Sequence, residues 1–328
     1  MNMFLRITLS FIMLLVGQVV CAQEDASAFF LSQGTHPKNV WTITGILKNE
    51  QDEPYGFAFN LYRQESTFQV VAALYDLNEK KIIWQQTQSL KLSGQNQEIE
   101  QVGSFFWHFS PINASLIIGY EDQNTQVFNL KFDLLEPTEV THTRSLAKHL
   151  KFKQFWSGRM NGHININHHE QFVTSDNIWL QQIWQKEADL EQHPFQELLC
   201  KFQDGSSLYA IQLPEKQAIH AALAARYDSQ GQKVAISQFM NIKPPALNEF
   251  DMVLEKNKEY LHLSTVFNQN NLQLFGGHIT PNELPGFCIY QNNPWSSLSE
   301  LKPVIKTKDT FLSKTFAFSK KPFKIPFG

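Results

Sequence analysis

The sequence predicts an all-β protein of antiparallel sandwich or barrel type, in two domains behind an export segment. Three observations predict this. Apolar–polar alternation recurs every ten residues or so with turn residues between, the pattern of antiparallel strands rather than helices. Aromatic residues are abundant, with 27 Phe, 7 Trp and 8 Tyr in 328 residues, and they favour strands and bury large areas. About 300 residues remain once the export segment is removed, twice a typical domain.

The export segment comes first. Arg6 supplies a positive flank, Ile7 to Val16 is almost unbroken in apolar character, and Val20, Cys21 and Ala22 offer a small-residue cleavage site. That run is too short to span a bilayer but suits a secretory signal. Residues 1–22 are therefore expected to be removed, leaving Gln23 first in a periplasmic or secreted protein. Lipidation at Cys21 is the lesser alternative, because Val20 and Gln18 stand where a lipoprotein signal has Gly or Ala and Leu. Cys200 and Cys288 are then the remaining cysteines. They read as buried thiols, with a disulfide as the alternative in an oxidising compartment.

The first hairpin carries the most information. Trp41, Ile43, Gly45 and Leu47 share one strand face, with Thr42 and Thr44 on the other. After a polar stretch ending in Pro54, Tyr55, Phe57, Phe59 and Leu61 alternate with Gly56, Ala58 and Asn60. The small residues on that back face leave room for a bulky group, either a neighbouring aromatic or a ligand.

Strands are expected next at 68–75 and 81–87 around a turn, at 105–109 and 116–120, and at 126–134. The last is the cleanest, with Phe128, Leu130, Phe132 and Leu134 facing one way. The polar segment 136–151 reads as a loop or a partly ordered crossover. Strands resume at 159–167 and 172–184, and the acidic stretch Glu187–Pro194 reads as a linker. Beyond it come strands at 197–202, 208–213, 234–239, 260–267 and 272–279, with a hairpin turn at 268–271. Ala218–Tyr227 is the one helix-like run, with a small-residue strand as the alternative. The domains are thus residues 23–186 and 187–328.

The hairpin, preceded by His36 and Pro37, resembles the opening signature of the AttH/CrtC-type lipocalin-like proteins, the group that includes the carotenoid hydratases and secreted proteins classed as hydrolases. In that family a Trp-rich strand ending in Thr-Gly leads through a polar turn into Tyr-Gly-Phe and closes near an Arg. The matching residues are Trp41, Thr44, Gly45, Tyr55, Gly56, Phe57 and Arg63. Arg159, Met160 and Gly162 match the family's Arg-Met…Gly strand; Trp179 with Trp184, and Phe202 with Gly205 and Tyr209, match more weakly. The resemblance implies two lipocalin-like antiparallel β-barrel or sandwich domains in tandem. It also implies a ligand cavity lined by the strand ending at Trp184, where the family tends to carry Trp-Met-Asp-His/Arg-Glu-Trp. This chain has Gln181, Gln182 and Ile183 there, and Asn39-Val40 where a further family Glu is expected. An amide has no proton to give near neutral pH, so general acid–base work at that strand is expected to be lost.

Other chemistry is sparse. His163, His168 and His169 lie on or beside one polar strand, with no Cys nearby and only Glu170 as a close carboxylate, so a solvated face is a better reading than a metal site. No serine nucleophile elbow or phosphate-cradling glycine loop occurs, and no cofactor is expected. A net charge of −3 argues against a nucleic-acid partner. The lysine-rich, phenylalanine-interleaved tail after Leu301 suggests peripheral contact with an anionic membrane, against a final strand at 310–319 as the plainer alternative.

The expected function is binding of a hydrophobic or amphipathic small molecule, with Trp41, Tyr55, Gly56, Phe57, Arg159, Trp179, Gln181 and Trp184 as candidate ligand contacts. A hydratase, hydrolase or cyclase acting on an isoprenoid- or polyketide-like substrate is the alternative. Cavity chemistry distinguishes them: an enzyme needs a facing acid or base with a displaced pKa, while a carrier needs apolar walls and one or two orienting groups.

Overall fold

Alternation builds one sheet after another. The computed structural model describes residues 37–92, 99–110, 115–122, 125–133, 144–147, 150–185, 194–213, 222–237, 249–255, 259–269, 272–280 and 284–295. Among these there is no helix. The first sheet comprises β1 (Lys38–Asn49), β2 (Pro54–Gln64), β3 (Thr67–Asp76), β4 (Lys81–Lys91), β5 (Gln101–Val102), β6 (Phe105–Ser110), β7 (Ser115–Asp122), β8 (Thr125–Asp133), β9 (Arg144–Ser145), β10 (Leu150–Ile166) and β11 (His169–Gln185). Its order is β4-β3-β2-β1-β11-β10-β8-β7-β6-β5, antiparallel throughout, with β9 on the side of β10. The two ends meet and close a barrel: the Ser104 amide donates to the Gln88 side chain at 2.6 Å, and Trp84 packs edge-on against Phe105.

The barrel interior is filled by side chains. Trp41, Phe57, Phe59, Phe105, Phe128, Phe132 and Met160 meet there, with Phe57 edge-on to Phe128 and Phe59 edge-on to Phe105. Closely packed aromatics of this kind leave no through-pore.

The second sheet comprises β12 (Gln196–Phe202), β13 (Ser207–Gln212), β14 (Ala222–Tyr227), β15 (Lys233–Ser237), β16 (Glu249–Glu255), β17 (Glu259–Gln269), β18 (Leu272–Thr280) and β19 (Leu284–Asn292). Its order is β15-β14-β13-β12-β19-β18-β17-β16. One face carries its own core around Leu198, Phe202, Leu208, Leu263 and Phe275. The other lies against the barrel, where Val40, Ala58, Tyr62 and Tyr75 share a core with Leu199, Tyr209, Ile211 and Phe287.

Three expectations need correction. Residues 222–227 of the helix-like run form strand β14, because alternating residues face the two cores and the backbone pairs along β13; residues 218–221 lie outside those described. The loop expected at 136–151 contains β9 and the start of β10, where buried Leu150 anchors the strand. Cys200 and Cys288 are not free thiols but a disulfide joining directly opposed residues of β12 and β19. Besides β9 and β14, three strands, β5, β16 and β19, escaped the sequence reading; Pro285 and Gly286 disguise the start of β19. Residues 1–22, most of the 187–194 linker and the 310–319 strand lie outside the described residues.

The back face of the first hairpin receives a neighbouring aromatic. A Cβ built on Gly56 would stand 2.6 Å from the Phe287 ring, which stacks on Tyr75 at 5.5 Å. Gly56→Leu should therefore push the sheets apart. Urea unfolding should show a loss of about 1–3 kcal/mol, and an unchanged midpoint would contradict this packing. The Cys200–Cys288 bridge spans 88 residues of chain, so replacing both cysteines with serine should cost about 4 kcal/mol in the chain-entropy account, read in the same titration.

Candidate functional site

Where the two sheets face each other, polar side chains interrupt the apolar seam. Strand parity sends Thr42 of β1, Asn60 of β2, Gln154 of β10 and Gln181 of β11 away from the barrel interior and towards the second sheet. From the second sheet, β12 contributes Glu197 and Lys201, and β19 contributes Gln291. All seven are buried, and Glu197 and Gln291 have no exposed surface.

Their hydrogen bonds converge on Glu197. The Gln181 amide donates to one carboxyl oxygen and Gln291 Nε2 reaches the other at 3.3 Å. Gln181 in turn accepts from Gln154 at 3.1 Å and from the Trp179 indole at 3.4 Å. Gln291 also donates to Thr42 Oγ1 at 3.1 Å, and Thr42 donates to Asn60 Oδ1 at 3.0 Å. Among the described residues, Asn60 Nδ2 and Gln291 Oε1 find no hydrogen-bond partner. The seam thus holds an unused donor and an unused acceptor within one network.

Burial sets the protonation states. It pushes the Glu197 carboxyl up to about 8, against a smaller downward pull from the Gln181 amide. At neutral pH the group is mostly protonated and can give a proton. Burial lowers Lys201 to about 7; its ammonium lies 5.6 Å from the Trp179 ring centroid. Tyr62 is raised by burial and by the charge of Glu197. Beside these groups stands an aromatic wall: Trp179, Tyr209 and Tyr227 lie with ring centroids 5.5–6.1 Å apart.

The eight residues singled out from sequence do not form one site. Trp41, Tyr55 and Phe57 belong to the packed barrel core, and Gly56 lies under Phe287. Arg159 is on the surface, paired with Asp176 at 3.2 Å. Trp184 is buried near the end of β11. Trp179 and Gln181 do meet, in the seam. Sequence reasoning missed Glu197, Lys201 and Gln291. The sequence hid the first two: Glu197, Leu199 and Lys201 alternate with Leu198, Cys200 and Phe202, the pattern of a strand with one solvated face, yet every position from Glu197 to Phe202 is buried. Charges in a doubly buried strand mark a polar site or a partnered pair.

The fold has solved relatives. The chain is similar to an AttH-type protein from Nitrosomonas europaea (TM-score 0.52, 14% identity, covering 79% of this chain and 93% of that one). It is also similar to kievitone hydratase from Nectria haematococca (TM-score 0.54, 10% identity, covering 80% and 90%). The chain has their lipocalin-like fold. At such identities the likeness concerns architecture. No protein-family model matches the sequence, and no curated protein does.

Glu197 makes stability depend on pH. Its folded pKa is above its unfolded value of 4.5, so above pH 4.5 the unfolded chain holds fewer protons and stability falls as pH rises towards 8. Lys201 acts oppositely, since its folded pKa is below 10.5 and stability regained through it grows from about 7 upward. Glu197→Gln should flatten the fall between pH 5 and 7, where Lys201 contributes little slope. Chemical denaturation across that range checks this, and parallel pH profiles for the two proteins would contradict it.

Proposed function

We propose that this chain is an exported protein that binds a hydrophobic or amphipathic small molecule in the seam between barrel and second sheet. One observation carries the reading: the buried polar network around Glu197 leaves a donor and an acceptor, Asn60 Nδ2 and Gln291 Oε1, unused beside an aromatic wall. A ligand with one polar end could answer Asn60 Nδ2 and Gln291 Oε1 while its apolar part lay along Trp179, Tyr209 and Tyr227. Binding would require the sheets to part locally, because the side chains close over the carboxyl. Export rests on residues 1–22.

A second reading, hydration of an alkene, is favoured by the pKa of Glu197 itself. The relative from Nectria haematococca is a hydratase by name. Of the β11 amides, Gln181 faces a carboxyl supplied by β12 instead. Glu197 would protonate one alkene carbon, water would add to the adjacent carbocation, and the oxonium would return its proton to the carboxylate. The aromatic wall would face the cation.

Glu197→Gln separates the two readings, since an amide still donates a hydrogen bond but gives no proton. Both readings expect the unmodified protein to bind polyene or isoprenoid probes by fluorescence titration. Both also expect Asn60→Leu with Gln291→Leu to weaken binding about tenfold or more. The carrier reading expects no turnover. The hydratase reading expects water addition, detected by mass spectrometry, which falls by about 10²–10⁴-fold in Glu197→Gln and fades above about pH 8 in the unmodified protein. Absence of saturable binding to any such probe would defeat both.

A further inference from the structure

The barrel has a mouth whose architecture the seam does not explain. At the end that carries the β10–β11 turn, a cavity of about 180 Å³ opens above the core. Its floor is Ile83 and Trp84 of β4, Val127 of β8 and Ile166 of β10; Asn165 and His168 stand on its lining. Trp84 rests edge-on against Tyr120 and Phe128 of the interior.

Two β-bulges build the floor. Leu74 pairs with Trp84 and Tyr75 with Ile82, which leaves Ile83 with no residue opposite. Tyr120 pairs with Phe128 and Glu121 with Gln126, which does the same for Val127. Adjacent residues of a regular strand face opposite ways. Here Ile83 and Trp84 both pack against the barrel core, as do Val127 and Phe128. Each bulge therefore turns one extra apolar side chain inward at the rim, a use to which bulges beside binding sites are often put. The rim is tightened by a two-residue turn in which Asn167 (φ 52°) and His168 (φ 65°) are both left-handed.

We propose that this mouth is a second binding site, separate from the seam, for a small neutral molecule bearing one aromatic ring or short alkyl chain and one hydroxyl or carbonyl. Volume bounds the size of the apolar part: about 180 Å³ of half-open space over aliphatic and aromatic side chains has room for a benzene-sized group. Asn165 and His168 supply hydrogen-bonding groups for the polar end. The core beneath is closed, so a longer ligand has no depth to enter.

Benzyl alcohol and cyclohexanol are the probes, with glycerol as the polar control, added to the full mature chain labelled at isoleucine, leucine and valine methyl groups. The two alcohols should shift the Ile83, Val127 and Ile166 resonances saturably, with a dissociation constant on the order of 0.1–1 mM for so few non-hydrogen atoms. Glycerol should shift none. Val127→Phe and Ile166→Phe should each lower the affinity at least about tenfold by filling the floor; with two variants at different strands, misfolding of one leaves the other to decide. Asn60→Leu with Gln291→Leu, which disables the seam, should bind both alcohols unchanged, so failure at the seam and failure at the mouth are distinguishable. Shifts confined to Leu199 and Ile211 in the seam, no saturation by about 10 mM, or undiminished binding to the folded filled variants would overturn the proposal.

Discussion

Glu197 is removed from water by two sheets at once, and the seam is arranged around that fact. A lone ionised carboxylate in an apolar interior costs many kcal/mol, and a protein avoids that cost by pairing the group, hydrogen-bonding it or keeping it neutral. Here amides from β11 and β19 satisfy its oxygens while burial keeps it largely protonated. Each donor is itself held: Gln181 by Gln154 and Trp179, Gln291 by Thr42. Docking of the second sheet on the barrel thus depends on satisfying this network as well as on the apolar contacts around Phe287 and Tyr75.

The barrel and the seam divide the labour. Large aromatics from β1, β2, β6 and β8 fill the barrel, giving it the rigidity of a packed core rather than the hollow of a carrier. A solid barrel can hold Thr42, Asn60 and Gln181 in register as a polar face towards a partner sheet. The disulfide between β12 and β19 does the corresponding work on the other side, locking together the two strands that carry Glu197 and Gln291.

Much of the fold was legible because a strand with one buried face writes its period into the sequence. Strand β8, with Phe128, Leu130 and Phe132 turned into the barrel and Asn129, Lys131 and Asp133 outward, is a clear case. Strands buried on both faces lose that alternation. β19 is apolar from Phe287 to Tyr290 and begins with Pro and Gly, so nothing local distinguishes it from a loop. The small-residue run in β14 suits a helix as well as a strand until β13 is known to lie beside it. The site was harder still. Glu197 and Gln181 come from different sheets, and a carboxyl supplied across the interface between sheets leaves no spacing to read. The resemblance pointed to the Trp179 strand, where Gln181 was visible, but not to the acid facing it.

The protonation of Glu197 is the claim on which the functional account turns. Carbon-13 labelling of glutamate carboxyl groups, with Glu197→Gln to assign the resonance, allows its titration to be followed directly in the folded protein. A protonated carboxyl signal at neutral pH that titrates near 8 is the predicted result. A signal already ionised at pH 6, titrating near the ordinary carboxylate value of 4.5, would contradict the account.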